Sequence, residues 1–135
     1  MRLRGKREEE VAEVSRGLKA LARELHVPVL ALSALNRTVE SQQDKRPGMA
    51  SLRESGAVES DADAVIFVYR EEYYLRQGEP QDPGEHAAWE ERLHQARNVA
   101  ELIVAKNRHG PTRTANVFFD PATNRTGDLA QDGHG

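Results

Sequence analysis

Between Arg7 and Leu25 the apolar residues Val11, Val14, Leu18, Leu21, Ala22 and Leu25 recur at helical spacing among charged neighbours, which predicts an amphipathic helix. Glu8, Glu9 and Glu10 stand at its expected start, where the positive end of the helix dipole favours carboxylates. "VPVLALS" (27–33) is instead a short continuous apolar run, the pattern of a strand covered on both faces, with Pro28 tolerated only near its first residue. Polar, unpatterned "TVESQQDKRPG" (38–48) predicts a loop, and open α/β sheets keep their sites in loops after buried strands.

A second buried strand is predicted over Ala64–Tyr69 and a third over Ala100–Lys106. The turn "NRHGPTR" and a fourth strand over Thr114–Asp120 complete an antiparallel hairpin. Residues 71–98, with a "GEPQDPGE" breaker and a charged helix whose apolar edge is Ala88, Trp89 and Leu93, are expected to form a surface insertion. The Gly- and Asp-rich stretch from Pro121 is expected to fray, so that 1–121 forms the folded part and 122–135 a flexible tail. This is an α/β order with few edge strands and few covering helices for its buried strands, as in half of a sheet.

Composition narrows the function classes. A length of 135 residues suits one domain, and a net charge of −3 argues against a whole-chain clamp on nucleic acid while leaving local basic surfaces open. The absence of cysteine rules out disulfides and Cys-containing zinc sites. No apolar run approaches the roughly 20 residues of a membrane span, and "MRLRGKREEE" lacks the apolar stretch of a signal peptide, so a cytoplasmic protein with no membrane partner is expected.

Two stretches carry candidate chemistry. "LRESG" precedes the second strand: Arg53 and Glu54 could simply be solvated or paired, with Ser55 capping a short helix and Gly56 permitting its turn. Alternatively, Arg53 and a short helix start offer positive charge and N–H groups to a phosphate. In "AKNRHGPTR", Lys106 and Arg108 are two apart at a strand end and so point to the same side, which suits either a polyphosphate or a solvated hairpin tip. Ser33 and Asn36 follow the first strand and either face a ligand or merely end the strand. Asp61 and Asp63 lack calcium-loop spacing, and the five histidines make no i, i+4 pair, so no metal is expected. His109, beside Gly110, reads as a turn residue.

"EVSRGLKALARELHVPVLALSALNR", "DKRPGMASLRESGAVESDADAVIFVYR" and "AELIVAKNRHGPTRTANVFFD", in this order, resemble the C-terminal part of replicative DNA helicases of the DnaB type, which carry a RecA-like ATPase domain. The resemblance implies a partial three-layer RecA-like fold with a mainly parallel sheet ending in an antiparallel hairpin. It implies that Arg53, Glu54 and Gly56 contact the single-stranded DNA backbone inside a homo-hexameric ring. Lys106 and Arg108 would reach the nucleotide of a neighbouring subunit, with Ser33 and Asn36 close to nucleotide.

Two departures follow. "LSALNR" has Ala34 where the family usually has a phosphate-sensing Gln, and no GxxxxGK[ST] loop occurs, the resemblance placing that loop and the acidic metal-binding strand before Met1. ATP and Mg²⁺ are therefore expected in the intact family domain, and no cofactor for this chain alone, which should not hydrolyse ATP unaided. A non-enzymatic DNA-binding or ring-docking module derived from a helicase, or a fragment of a recombination ATPase, remains the alternative.

Overall fold

The computed structural model describes residues 2–35 and 37–130, with side chains described for all of these except 2–4 and 53–55. The chain divides into two compact units, Met1–Val65 with Ala105–Pro111, and Ile66–Val104 with Thr112–Gly135.

In the first unit, helix α1 (Arg2–Leu25) begins before the Glu run, so Glu8–Glu10 lie in later turns and no acidic residue stands in the first. Val11, Ser15, Leu18, Lys19 and Ala22 are half-buried on the stripe that packs on α2 (Gly56–Asp61), whereas Val14, Leu21 and Leu25, also apolar, are exposed. The helix ends with His26 at φ 54 and with Val27 N–H donating to Ala22 O at 3.1 Å, the left-handed closure that usually takes glycine.

The predicted strand 27–33 does not form. Its residues have no regular structure and are exposed, Leu30 at 88% and Leu32 at 95%. A strand's backbone groups need a partner strand, and this run is not one of the strands that pair among the described residues. Within the predicted loop, Arg37–Ser41 makes a 3-10 turn that buries Val39. A second 3-10 turn, Met49–Ser55, is started by reciprocal bonds between Gly48 and Ser51 and anchored by buried Leu52.

The second unit holds most of a four-stranded sheet of order β1-β2-β3-β4, made of β1 (Ala64–Tyr69), β2 (Val99–Asn107), β3 (Arg113–Asp120) and β4 (Arg125–Gly127). β2 and β3 pair antiparallel, with Val99 opposite Phe118 and Val104 opposite Arg113, as the hairpin pattern predicts. β4 pairs antiparallel with β3 through a turn in which Asn124 takes φ 53, so three residues of the stretch expected to fray belong to the sheet. β1 is covered on one face only: Phe67 and Tyr69 are buried, whereas Ile66 and Val68 are 52% and 63% exposed. The unbroken apolar pattern predicted burial on both.

The stretch 71–98 folds as α3 (Glu71–Leu75) and α4 (Pro83–Ala96). Asp82 caps α4 by accepting from Glu85 N–H at 3.1 Å, and Pro83 fills the first turn, where its missing N–H costs nothing. Trp89 Nε1 donates to Leu75 O at 2.7 Å and ties the two helices together. Glu72, in α3 itself and 2% exposed, accepts from Arg76 Nε and Nη2 at 3.2 and 2.9 Å, from Arg70 Nη2 at 3.4 Å and from Asn98 N–H at 3.1 Å. Arg70 also stacks over Phe119, 4.8 Å from the ring centre, so one carboxylate joins the end of β1, α3 and the residue before β2.

Candidate functional site

β2 carries Lys106 to the end of its strand, and the turn that follows begins at Arg108. The turn is tight: a Cβ on Gly110 would stand 2.9 Å from Asn107 Nδ2, and Asn107 Nδ2 donates to Pro111 O at 3.4 Å. Both cations then point toward the stretch Glu59–Asp63. Lys106 Nζ donates to Glu59 O at 2.6 Å, among the carbonyls at the negative end of α2. Arg108 Nη1 lies 2.8 Å from Asp63 Oδ1, and Arg108 N–H donates to Asp63 O at 2.8 Å. The expectation that spacing puts the two on one side therefore holds.

Asp63 is the hub of this arrangement. Lys19 Nζ, from α1, reaches the same Oδ1 at 2.7 Å, while Ser15 Oγ donates to Asp61 Oδ2 at 2.9 Å. The Lys19 hydrogen bond holds the Asp63 carboxyl below the usual carboxylate range, against some desolvation, with the charges of Lys19, Arg108 and His109 adding to it. Sequence reading missed Lys19, Glu59 and Asp63 as members of this cluster. An i, i+4 scan cannot link positions 44 and 47 residues apart, which only the packing of α1 on α2 and the return of β2 bring together.

The other candidate stretch sits at the opposite end of α2. Arg53 and Glu54 occupy the 3-10 turn Met49–Ser55, and their side chains lie outside the described ones, as does that of Ser55. Gly56 opens α2 with φ −53 and ψ −31, ordinary helical values, so the turn does not need glycine's freedom. A Cβ there would also meet nothing within 4 Å. Glycine costs about 1 kcal/mol against alanine in a helix, and nothing among the described residues requires it. One six-residue helix thus has "LRESG" at its start and both cations of "KNRHG" at its end.

Ser33 is exposed, and among the described residues its Oγ meets Ala34 O at 3.4 Å and no group of this cluster. Asn36 lies outside the described residues. His109 is exposed in the hairpin turn, and His86 pairs with Glu79 and Glu90 on the α4 surface. Among the described residues no group of three or more His, Asp or Glu is placed to hold a metal ion. A nucleotide with Mg²⁺ needs a glycine-rich phosphate cradle and carboxylate ligands, and the residues present do not fit that role for a nucleotide of the chain's own. No helix among the described residues is long and apolar enough to cross a membrane.

The chain is 48% identical over 121 residues to the replicative DNA helicase DnaB of Rickettsia conorii, a match spanning 89% of this chain and 24% of that protein. It is 49% identical over 113 residues to the replicative DNA helicase DnaB of Geobacillus stearothermophilus, spanning 84% of this chain and 21% of that protein. The chain therefore spans about a quarter of the length of these relatives. A solved structure of a DnaB-like replicative helicase, described with its interactions with primase, superposes with a TM-score of 0.73 at 39% identity, over 90% of this chain and 26% of that one. A family model of the DnaB-like helicase C-terminal domain matches residues 1–128, and the chain belongs to that family.

Proposed function

We propose that this chain is the part of a replicative helicase ATPase domain that holds the translocating DNA strand and completes the nucleotide site of a neighbouring subunit. The observation that carries this reading is the convergence of Lys106, on β2, and Arg108, in the turn after it, on the stretch Glu59–Asp63 at the end of the helix that starts at Gly56. Family membership supports it.

In a homo-hexameric ring, Arg53 and the open backbone at Gly56 would meet DNA phosphates, with Glu54 orienting Arg53. Phosphate contact positions a strand without reading its sequence, and a glycine with no Cβ lets the sugar-phosphate chain come close. Lys106 and Arg108 would leave Glu59 and Asp63 for the terminal phosphates of the neighbour's ATP and supply positive charge there. Ser33 and Asn36 would lie nearer to nucleotide in the whole domain. Cradle, Mg²⁺ ligands and base would come from residues outside this chain, so hydrolysis belongs to the assembled cytoplasmic ring.

Residues 1–121, with β4 paired beside them, form this part of the RecA-like domain in our reading, and 71–98 is inserted on its surface. Segment 27–33 and β1 would become members of a mainly parallel sheet. The apolar groups left open at Val29, Leu30, Leu32, Ile66 and Val68 support this, because they ask for cover. These open groups also favour a second reading, a non-enzymatic module that docks on a complete ring. Changing Arg108→Ala in full-length subunits carrying this segment separates the two. We expect kcat for ATP hydrolysis to fall roughly 10³-fold, whereas a change confined to KM would reject the trans-acting role.

A further inference from the structure

Arg108 is held at two points by one residue. Its backbone N–H donates to Asp63 O at 2.8 Å and its guanidinium Nη1 meets Asp63 Oδ1 at 2.8 Å. An arginine at a hairpin tip ordinarily samples many rotamers in water, and Asp63 removes that freedom. The hold is not simple neutralisation, because Lys19 Nζ already sits on the same oxygen at 2.7 Å. Lys19 is itself half-buried on α1, and Ser15, one turn earlier, is bonded to Asp61 at 2.9 Å. The carboxylate is thus fixed from the helix side and offered to Arg108 from the other.

We propose that Asp63 is a positioning residue for Arg108, holding its guanidinium ready at the end of β2 and handing it to a phosphate, while Lys19 stays behind to balance the carboxylate. This rests on the reading of Arg108 as a group that acts on a neighbour's nucleotide. The handover is charge-balanced. When Arg108 swings away, Asp63 keeps a cation on Oδ1, so no lone carboxylate is left to pull the arginine back. A polyphosphate with no cation of its own at that point then outcompetes a carboxylate that already has one. Without Asp63 the arginine would start from many rotamers, so fewer subunits would have it ready when the phosphate arrives.

The test uses full-length helicase subunits carrying this segment, assembled as rings on single-stranded DNA, with steady-state ATP hydrolysis as the readout. Asp63→Asn, Arg108→Ala and the double variant form a cycle. Asp63→Asn should lower kcat about 10-fold with KM changed by less than about twofold, since the nucleotide's binding groups are untouched. In the Arg108→Ala background the same change should cost nothing further, because Asp63 acts only through Arg108. An equal loss in both backgrounds, or a loss accompanied by a lower melting temperature of the ring, overturns the positioning role and leaves the trans-acting arginine standing. If Arg108→Ala alone leaves kcat unchanged, the reading beneath the proposal fails as well.

Discussion

Removing the carboxylate of Glu72 should unpick the second unit more than any surface change in it. Four bonds converge there, two from Arg76, one from Arg70 and one from Asn98 N–H, on a side chain that is 3% exposed. Arg76 is more than half exposed and regains water when its partner is lost, so its share is at most about 1 kcal/mol. Asn98 differs. Its φ is 57 and its N–H has been aimed at a buried acceptor, so an orphaned donor there costs about 1–3 kcal/mol. Arg70, 23% exposed with its Nε meeting no acceptor, adds a poorly compensated charge.

Glu72→Ala should therefore destabilise the unit by about 2–4 kcal/mol, and Glu72→Gln, which keeps an acceptor for Asn98, by about 1–2 kcal/mol. Trp89 is the chain's one tryptophan and bonds Leu75 beside this network, so urea titration followed by its fluorescence reads the right unit. The pH dependence supplies an internal control. Burial opposes the Glu72 charge, but the hydrogen bonds from Arg76 and Asn98 and the charges of Arg76 and Arg70 prevail, holding its pKa below the ordinary value. A depressed carboxylate pKa stabilises the fold above the unfolded pKa, near 4.3, and this contribution disappears as pH falls through the folded value. The gap between wild type and Glu72→Gln should be full at pH 7 and close on acidification below about pH 4. A Glu72→Ala loss below about 0.5 kcal/mol, or a gap with Glu72→Gln that ignores pH, rules this account of the network out.

His26 occupies a left-handed closing position, so His26→Gly should stabilise α1 by about 0.5–1 kcal/mol, read by thermal denaturation with circular dichroism; no gain would mean that the closing turn is not formed in solution. Purified chain given ATP, Mg²⁺ and single-stranded DNA should release no phosphate above a blank, and DNA-stimulated release abolished by Arg108→Ala would reject the division of labour proposed above. In assembled rings Arg53→Ala should weaken single-strand binding regardless of base sequence and reduce the log–log salt slope by about 0.7 for each phosphate no longer neutralised. Unchanged binding with a lower melting temperature would make the "LRESG" turn structural.

Periodicity and turn chemistry alone determined the elements whose stability is local. β1 runs over the six residues predicted, and the β2–β3 hairpin extends its predicted strands by one or two residues. The charged helix after the breaker forms as α4, although it starts at Pro83, inside the breaker. Lys106 and Arg108 do come to one side, but β2 ends at Asn107, and it is the turn, with Arg108 N–H donating to Asp63 O, that brings Arg108 there. Whatever depends on partners was settled in three dimensions. An apolar run such as 27–33 carries strand propensity, but a strand exists only when another backbone bonds to it, and here Leu30 and Leu32 stand in the open instead. The same holds for Ile66 and Val68, whose pattern asks for a cover that the pattern cannot supply. β4 looked like tail because three residues of polar sequence become a strand only through β3 beside them. Asp63, an ordinary carboxylate in the sequence, became the residue that holds Arg108 because folding brings α1, the end of α2 and the turn after β2 to one oxygen atom, and no spacing rule reaches across those distances.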